Sequence, residues 1–530
     1  MPRKTSHTVH SSAAVRFGQT ARDHERTEPS PSDRFGAIAR RFGPVAVPTV
    51  VAIGTTLFGI SHRQLWGDEH ATYWAASLSW ADLELLLHNA DVVIAPYYLF
   101  MRGWIALFGD STSSMRLPSV IAMCAAAAFT AALGRRIFDA ATGLTAGLML
   151  AILPAFARYA QEARPYAIAV AATAGGALLV IRARPQSAAR WWWLAYAVSV
   201  AVAGLAHVVA LCVLPAYLVM VLGAAPAERP VALRRWTVAT VAGLLPVVPV
   251  VLAGSGQTRQ IGWIEPPTWQ DLVALPGELF QSAPVGGVVV CLGVLGLAVA
   301  GRRAVPLAVW AILPPVLLYL TSDQLNMFLF RYMLFTLPAW ALLAAAAVHT
   351  SAAGAAAPAV AGGWRRPAVV AAALVVVTVV VLGAEDQRVA RQDPLLNHPD
   401  YRSAAAVVLA EARPGDGIAY GGRLNGGGNT LRRAMAYELR DAVPLRDVFL
   451  AVTPQQRGLY VGAECLDPAP CLGDTRRLWL VTTAWGDDLL AHLPETRRAL
   501  LEQHFTVVER WQFTRVQVAL LERRLEGNAP

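Results

Sequence analysis

Lysine is almost missing from this chain. Lys4 is the only one in 530 residues, and every other fixed cation is arginine. Without a second lysine there is no GK[ST] phosphate loop and no Schiff-base amine, which argues against an ATP-driven pump and against lysine-based carbonyl chemistry. Charge is also scarce, at 15% of residues, where a soluble protein carries about a quarter. No HExxH, CxxC or GxSxG pattern occurs, which disfavours a zinc protease or a serine hydrolase. Of the five cysteines, Cys124, Cys212 and Cys291 lie in apolar blocks and read as inert core residues. Cys465 and Cys471 lie in a polar tail, where a bridge requires an oxidising compartment.

What is abundant is apolar sequence, 55% of the chain. It is gathered into blocks long enough to cross a hydrocarbon layer of roughly 30 Å as helices. This predicts an α-helical polytopic membrane protein with about eleven spans, near 45–61, 116–134, 140–157, 166–181, 191–206, 208–224, 236–253, 284–300, 304–320, 332–348 and 367–383. The net charge of +9 sits in short clusters between these blocks, where it sets orientation, so nucleic acid is not a predicted partner. With the N-terminus inside, Arg135/Arg136, Arg302/Arg303 and Arg365/Arg366 all fall on the inner side, and the loops opposite keep isolated arginines. Three regions follow: a disordered inner tail at 1–44, a membrane domain at 45–383 with outer loops 62–115 and 254–283, and an extracytoplasmic α/β domain at 384–530. Within the first outer loop, APYYLFMRGWIALFG suits a helix lying in the interface. Heavy Ala, Val and Arg usage suggests a GC-rich bacterial genome, hence a bacterial plasma membrane.

The polar residues at the outer helix ends are the candidates for chemistry. GDEHATYW, after the first span, sets Asp68, Glu69 and His70 beside Trp66, Tyr73 and Trp74. Solvated loop acids are the plain alternative. A carboxylate held rigidly in a cleft can instead take a proton from a hydroxyl, or ligate a hard divalent cation such as Mg, Ca or Mn. YAQEARPYA carries Glu162 and Arg164, as a local ion pair or as a second acid and an anion-binding arginine. Arg331, where the tenth span begins, either snorkels to the interface or holds a lipid phosphate with its planar fork. Arg259 and Gln260 in the fourth outer loop can reach a substrate, whereas Trp263 and Trp269 read as loop packing.

GDEHATYW, APYYLFMRGWIALFG, SMRLPS, YAQEARPYA and FRYMLFTLPA, in this order and on this side, make residues 45 to 350 resemble the GT-C superfamily of membrane glycosyltransferases, in its protein O-mannosyltransferase/aminoarabinose-transferase-like branch. The resemblance implies an acidic catalytic residue in the first outer loop, here Asp68 with Glu69 beside it. It implies a polyprenyl-phosphate sugar donor and no nucleotide. It implicates the second outer-loop acid, here Glu162, and a late arginine, here Arg331, in the donor or acceptor site; Arg164, Arg259, His70, Tyr97 and Tyr98 are further substrate-binding candidates. A mannose- or arabinose-like sugar would pass, with inversion, to a hydroxyl of an envelope glycan, glycolipid or protein. Relatives carry a His-Pro-Pro-like element where this chain has Ile94-Ala95-Pro96, so that histidine's role does not transfer. The competing readings are a lipid-sugar flippase, disfavoured by the lack of ionisable residues within spans, and a non-catalytic envelope-assembly protein.

Overall fold

The computed structural model describes residues 31–354, 365–395, 398–422, 428–483 and 486–524. The chain divides at Gly43 into a short N-terminal unit and a unit running from Pro44 to Pro530, which holds everything discussed below. Helix α1 (Pro31–Leu57) begins inside the stretch read from sequence as a tail; residues 1–30 lie outside the described residues.

Each of the eleven apolar blocks coincides with a helix, a bent helix pair or a short 3-10 segment running into a helix. Five helices among the described residues are long and apolar enough to cross a bilayer, or seven if the bent pairs Ala140–Ile152 with Pro154–Ala160 and Arg229–Leu244 with Val248–Ser255 each count once. The remaining four expected spans are shorter apolar helices. Pro154 and Pro249, each within the first two positions of the second helix of its pair, lack the N–H that a continuous helix would bond, which accounts for both breaks. Between apolar helices in lipid, packing depends on small residues that let backbones approach. At Gly296 an added Cβ would strike the Leu343 carbonyl, so the Ala283–Ala300 and Leu337–Gly354 helices meet there by virtue of a missing side chain.

The first long loop folds into α2 (Gly67–Ser77), α3 (Trp80–Asn89) and α4 (Ala95–Phe108), followed by α5 (Thr112–Ile137). Helix α4 is where an interfacial helix is expected; it buries Tyr97, Tyr98 and Met101 and leaves Leu107 and Phe108 exposed.

The C-terminal region is an α/β domain. Strands β1 (Gly417–Gly421), β2 (Arg446–Asp447), β5 (Arg477–Thr482), β6 (Phe505–Phe513) and β7 (Val516–Arg523) form one sheet in the order β2-β1-β5-β7-β6. Here β3 (Leu450–Val452) and β4 (Ala463–Glu464) pair separately. The sheet is parallel from β2 to β5 and antiparallel from β5 to β6. Strands β1 and β5 are buried almost throughout, as central strands covered on both faces must be. Cys465 and Cys471 form a disulfide.

This domain is bolted to the first loop. The Gln64 amide N–H donates to Asp393 (2.9 Å), its side-chain nitrogen donates to the Pro399 carbonyl (2.6 Å), and its side-chain oxygen accepts from the Arg402 N–H (3.0 Å). Arg402 in turn donates to the His62 carbonyl and pairs with Asp393.

Candidate active site

Asp68 and Glu69 both stand in the first turn of α2, where the helix dipole favours negative charge. Their environments are opposite. Glu69 is fully buried and accepts four hydrogen bonds: from Arg116 Nε (2.9 Å), Arg116 Nη2 (2.7 Å), the Ala163 N–H (2.8 Å) and the Trp66 N–H (3.3 Å). An ionised carboxylate offers about four acceptor positions, so Glu69 has none left for a substrate. Arg116 also donates to the carbonyls of Ile60, Arg63 and Gln64. The pair thus pins α2 to the end of α1 and the start of α5.

Asp68 is 32% exposed and has two cationic neighbours, Arg164 Nε at 3.9 Å and Arg331 Nη2 at 4.0 Å. At those distances charge is balanced without a tight hydrogen-bonded clamp. The carboxylate therefore keeps oxygen lone pairs free. Arg164 is held by its own loop: Ser119 Oγ donates to the carbonyls of Glu162 (2.6 Å) and Arg164 (3.3 Å), and Gln161 donates to Thr56 and Phe58. Arg331 opens the 3-10 segment Phe330–Thr336 and faces the rings of Trp263 (5.6 Å), Trp66 (5.9 Å) and Tyr332 (6.0 Å). Two distant parts of the chain thus converge on one carboxylate.

The other expected residues fall as follows. Glu162 is buried and pairs with Arg158 at 2.9 Å. Burial pushes its carboxyl up to about 7; Arg158 opposes the shift, and the charges of Glu69 and Asp68 add to it. His70 is buried between the rings of Tyr401 (5.6 Å) and Tyr437 (5.9 Å), and burial lowers it to about 3, so it is neutral at physiological pH. Tyr97 is buried in the cluster that holds Leu65, Tyr98 and Ala163. Tyr98 is committed elsewhere: its hydroxyl meets Asp91 (2.9 Å) and the Tyr460 hydroxyl (2.8 Å). Arg259 is exposed on the turn after Val248–Ser255. Its neighbours Gln257 and Gln260 accept from the N–H groups of Val92 (3.0 Å) and Asp91 (2.9 Å), which fastens the loop to the start of α4. Among the described residues no three His, Cys, Asp or Glu side chains gather as metal ligands. Sequence reasoning passed over Arg433 and Tyr460. Arg433 and Tyr437 stand four apart on the Gly428–Glu438 helix, a spacing that places them on one face.

Comparison with known proteins agrees with this architecture. The family model described as dolichyl-phosphate-mannose-protein mannosyltransferase matches residues 95–252. No curated protein matches the chain. Among solved structures, ArnT from Cupriavidus metallidurans bound to undecaprenyl phosphate superposes with a TM-score of 0.59 at 16% identity, covering 90% of this chain and 98% of that one. The same protein in the apo state gives 0.55 at 16%, covering 92% and 98%. The apo oligosaccharyltransferase of Archaeoglobus fulgidus gives 0.50 at 9%, covering 84% and 70%. The chain therefore has the fold of the GT-C superfamily of integral membrane glycosyltransferases. The segment matched by the mannosyltransferase family model runs from α4 to Leu252, just short of the end of the Val248–Ser255 helix.

Proposed function

We propose that this protein transfers a sugar from a polyprenyl-phosphate donor to a hydroxyl of an envelope glycan, glycolipid or protein on the extracytoplasmic face of a bacterial plasma membrane. The observation that carries the reading is the free carboxylate of Asp68 between Arg164 and Arg331. A transfer of this kind needs a base for the acceptor and cations for the phosphate that departs, and nothing else that is covalent.

In this reading Asp68 accepts the proton of the acceptor hydroxyl as the oxygen attacks the anomeric carbon. The bond from that carbon to the phosphate oxygen breaks on the opposite face, so configuration inverts. Charge grows on the phosphate as the bond lengthens, and the guanidinium groups of Arg331 and Arg164 are fixed in advance to meet it. Glu69 serves as a positioning residue through Arg116. A divalent cation fits the residues poorly, because the free carboxylate already faces two guanidinium groups that would repel it. The sugar of first choice is mannose- or arabinose-like, from the matched family and fold.

The test is the purified protein in liposomes with a synthetic polyprenyl-phosphate sugar and envelope glycan fractions as acceptors. Labelled sugar should appear in the acceptor and polyprenyl phosphate should be released. Movement of the intact donor across the bilayer with no bond cleaved would mark a flippase and defeat the proposal.

A further inference from the structure

The charges around Asp68 do not balance among themselves. Glu69 is spent on Arg116 and Glu162 on Arg158. His70 is neutral. Asp68 is left to face Arg164 and Arg331. A third guanidinium approaches from the C-terminal domain. The Gly428–Glu438 helix packs on α2 through Tyr437, whose ring meets those of His70 at 5.9 Å and Tyr73 at 4.8 Å. One turn back, Arg433 donates from Nη1 to the Tyr460 carbonyl (2.7 Å) and lies 5.3 Å over the Tyr460 ring. Its Nε is buried without a hydrogen-bond partner among the described residues. Burial is the main influence on Arg433, and the charge of Asp68 is among those that act on it; Arg433 in turn is among the charges that act on His70.

Tyr460 itself is anchored into the membrane domain. Its hydroxyl donates to Asp91 (2.7 Å) and meets the Tyr98 hydroxyl, and its ring lies against Trp74 at 5.2 Å. Asp91 is a further carboxylate in reach; its charge acts on Arg164. Even with Asp91 counted beside Asp68, one cation of Arg164, Arg331 and Arg433 remains unmatched among the described residues. An unmatched charge kept partly out of water is costly unless an anion arrives to meet it.

We propose that Arg433, supplied by the C-terminal domain, is an oxyanion-binding residue of the Asp68 pocket, so that the pocket is composite and the domain contributes directly to substrate binding. The oxyanion is the phosphate of the donor or an anionic group on the acceptor. This rests on the glycosyl-transfer reading for its setting, but it is measured by binding alone.

The full-length protein in detergent is titrated with undecaprenyl phosphate and, separately, with inorganic phosphate, as wild type, Arg433→Gln and Arg433→Lys. The glutamine can still donate to the Tyr460 carbonyl but carries no charge; Arg433→Met replaces it if that variant fails to fold. The expected result is at least tenfold weaker binding in the neutral variant and recovery to within about threefold of wild type with lysine. Loss on the polyprenyl phosphate assigns Arg433 to the donor side. Loss on inorganic phosphate alone assigns it to a separate anion on the acceptor side. Equal affinities in all variants, or a lysine variant no better than the neutral one, overturn the proposal. A wild type that binds in this charge-dependent way yet transfers no sugar would defeat the transfer reading and leave Arg433 in place.

Discussion

Glu69 Oε2 lies 2.7 Å from Arg116 Nη2, and neither side chain is exposed to solvent. One residue away, Asp68 is open and loosely paired. Adjacent acids in one helical turn thus have opposite surroundings, one buried in the scaffold and the other partly exposed between two guanidinium groups. Removing one partner of a buried pair costs about 3–5 kcal/mol, because the other charge is stranded. Arg116→Met is therefore expected to lower the thermal unfolding temperature sharply and to reduce the yield of folded protein. Unchanged melting in that variant would show the pair to be dispensable.

Asp68→Asn should behave in the reverse way. Loss of a general base costs about 10²–10⁴ in rate, while at 32% exposure the side chain contributes little to packing. Turnover should fall by at least about 10² with the melting curve nearly unchanged. Near-normal turnover in a well-folded variant would remove Asp68 from the mechanism.

Arg331 sits among Trp66, Trp263 and Tyr332. A guanidinium partly desolvated against aromatic faces is both oriented and strengthened as a phosphate partner. Arg331→Ala is expected to raise the apparent Kd for the polyprenyl-phosphate donor by at least about tenfold, equivalent to about 1.4 kcal/mol, with a smaller effect on the acceptor. Trp263→Ala should reproduce part of this loss. Parallel titrations of the two substrates decide the matter, and a larger effect on the acceptor would reverse the assignment.

Glu162 and His70 make opposite contributions to the pH dependence of stability. The Glu162 carboxyl is raised from 4.5 to about 7. In that window the folded chain keeps a proton that the unfolded chain has released, so stability falls as pH rises from 4.5 through 7. His70 is lowered from 6.5 to about 3. Its contribution is full above 6.5 and is lost as pH falls through that range. The two slopes offset each other between 4.5 and 6.5. Glu162→Gln should expose the His70 slope: relative to wild type, its stability should climb steadily from pH 4.5 to 7 and then level off. A difference that stays flat across this range would mean that Glu162 is ionised throughout.

The fold was largely legible because hydropathy in lipid is a strong signal. Each apolar block became a helical element, and the tail read from sequence as α/β holds the strands GIAYG and RLWLVT. Asp68, Arg164 and Arg331 stood out because each lies at the edge of an apolar run, where isolated charge is conspicuous. What sequence could not reveal was which of two adjacent acids turns inward. That depends on the phase of α2 against Arg116, some distance along the chain and itself inside an otherwise apolar helix. Arg433 was hidden for a different reason: in a polar domain rich in arginine, one more cation gives no contrast. The structural role of Gln257 and Gln260 was equally silent, since backbone N–H partners leave no trace in a side-chain pattern.

The joints around Gln64 bear on how the molecule is made. Gln64 emerges early in translation, whereas Asp393, Pro399 and Arg402, to which it is fastened, come more than three hundred positions later. A chain stalled or truncated before Asp393 would lack all three of these partners, so α2 and the residues before it would be left without the contacts that fasten Gln64.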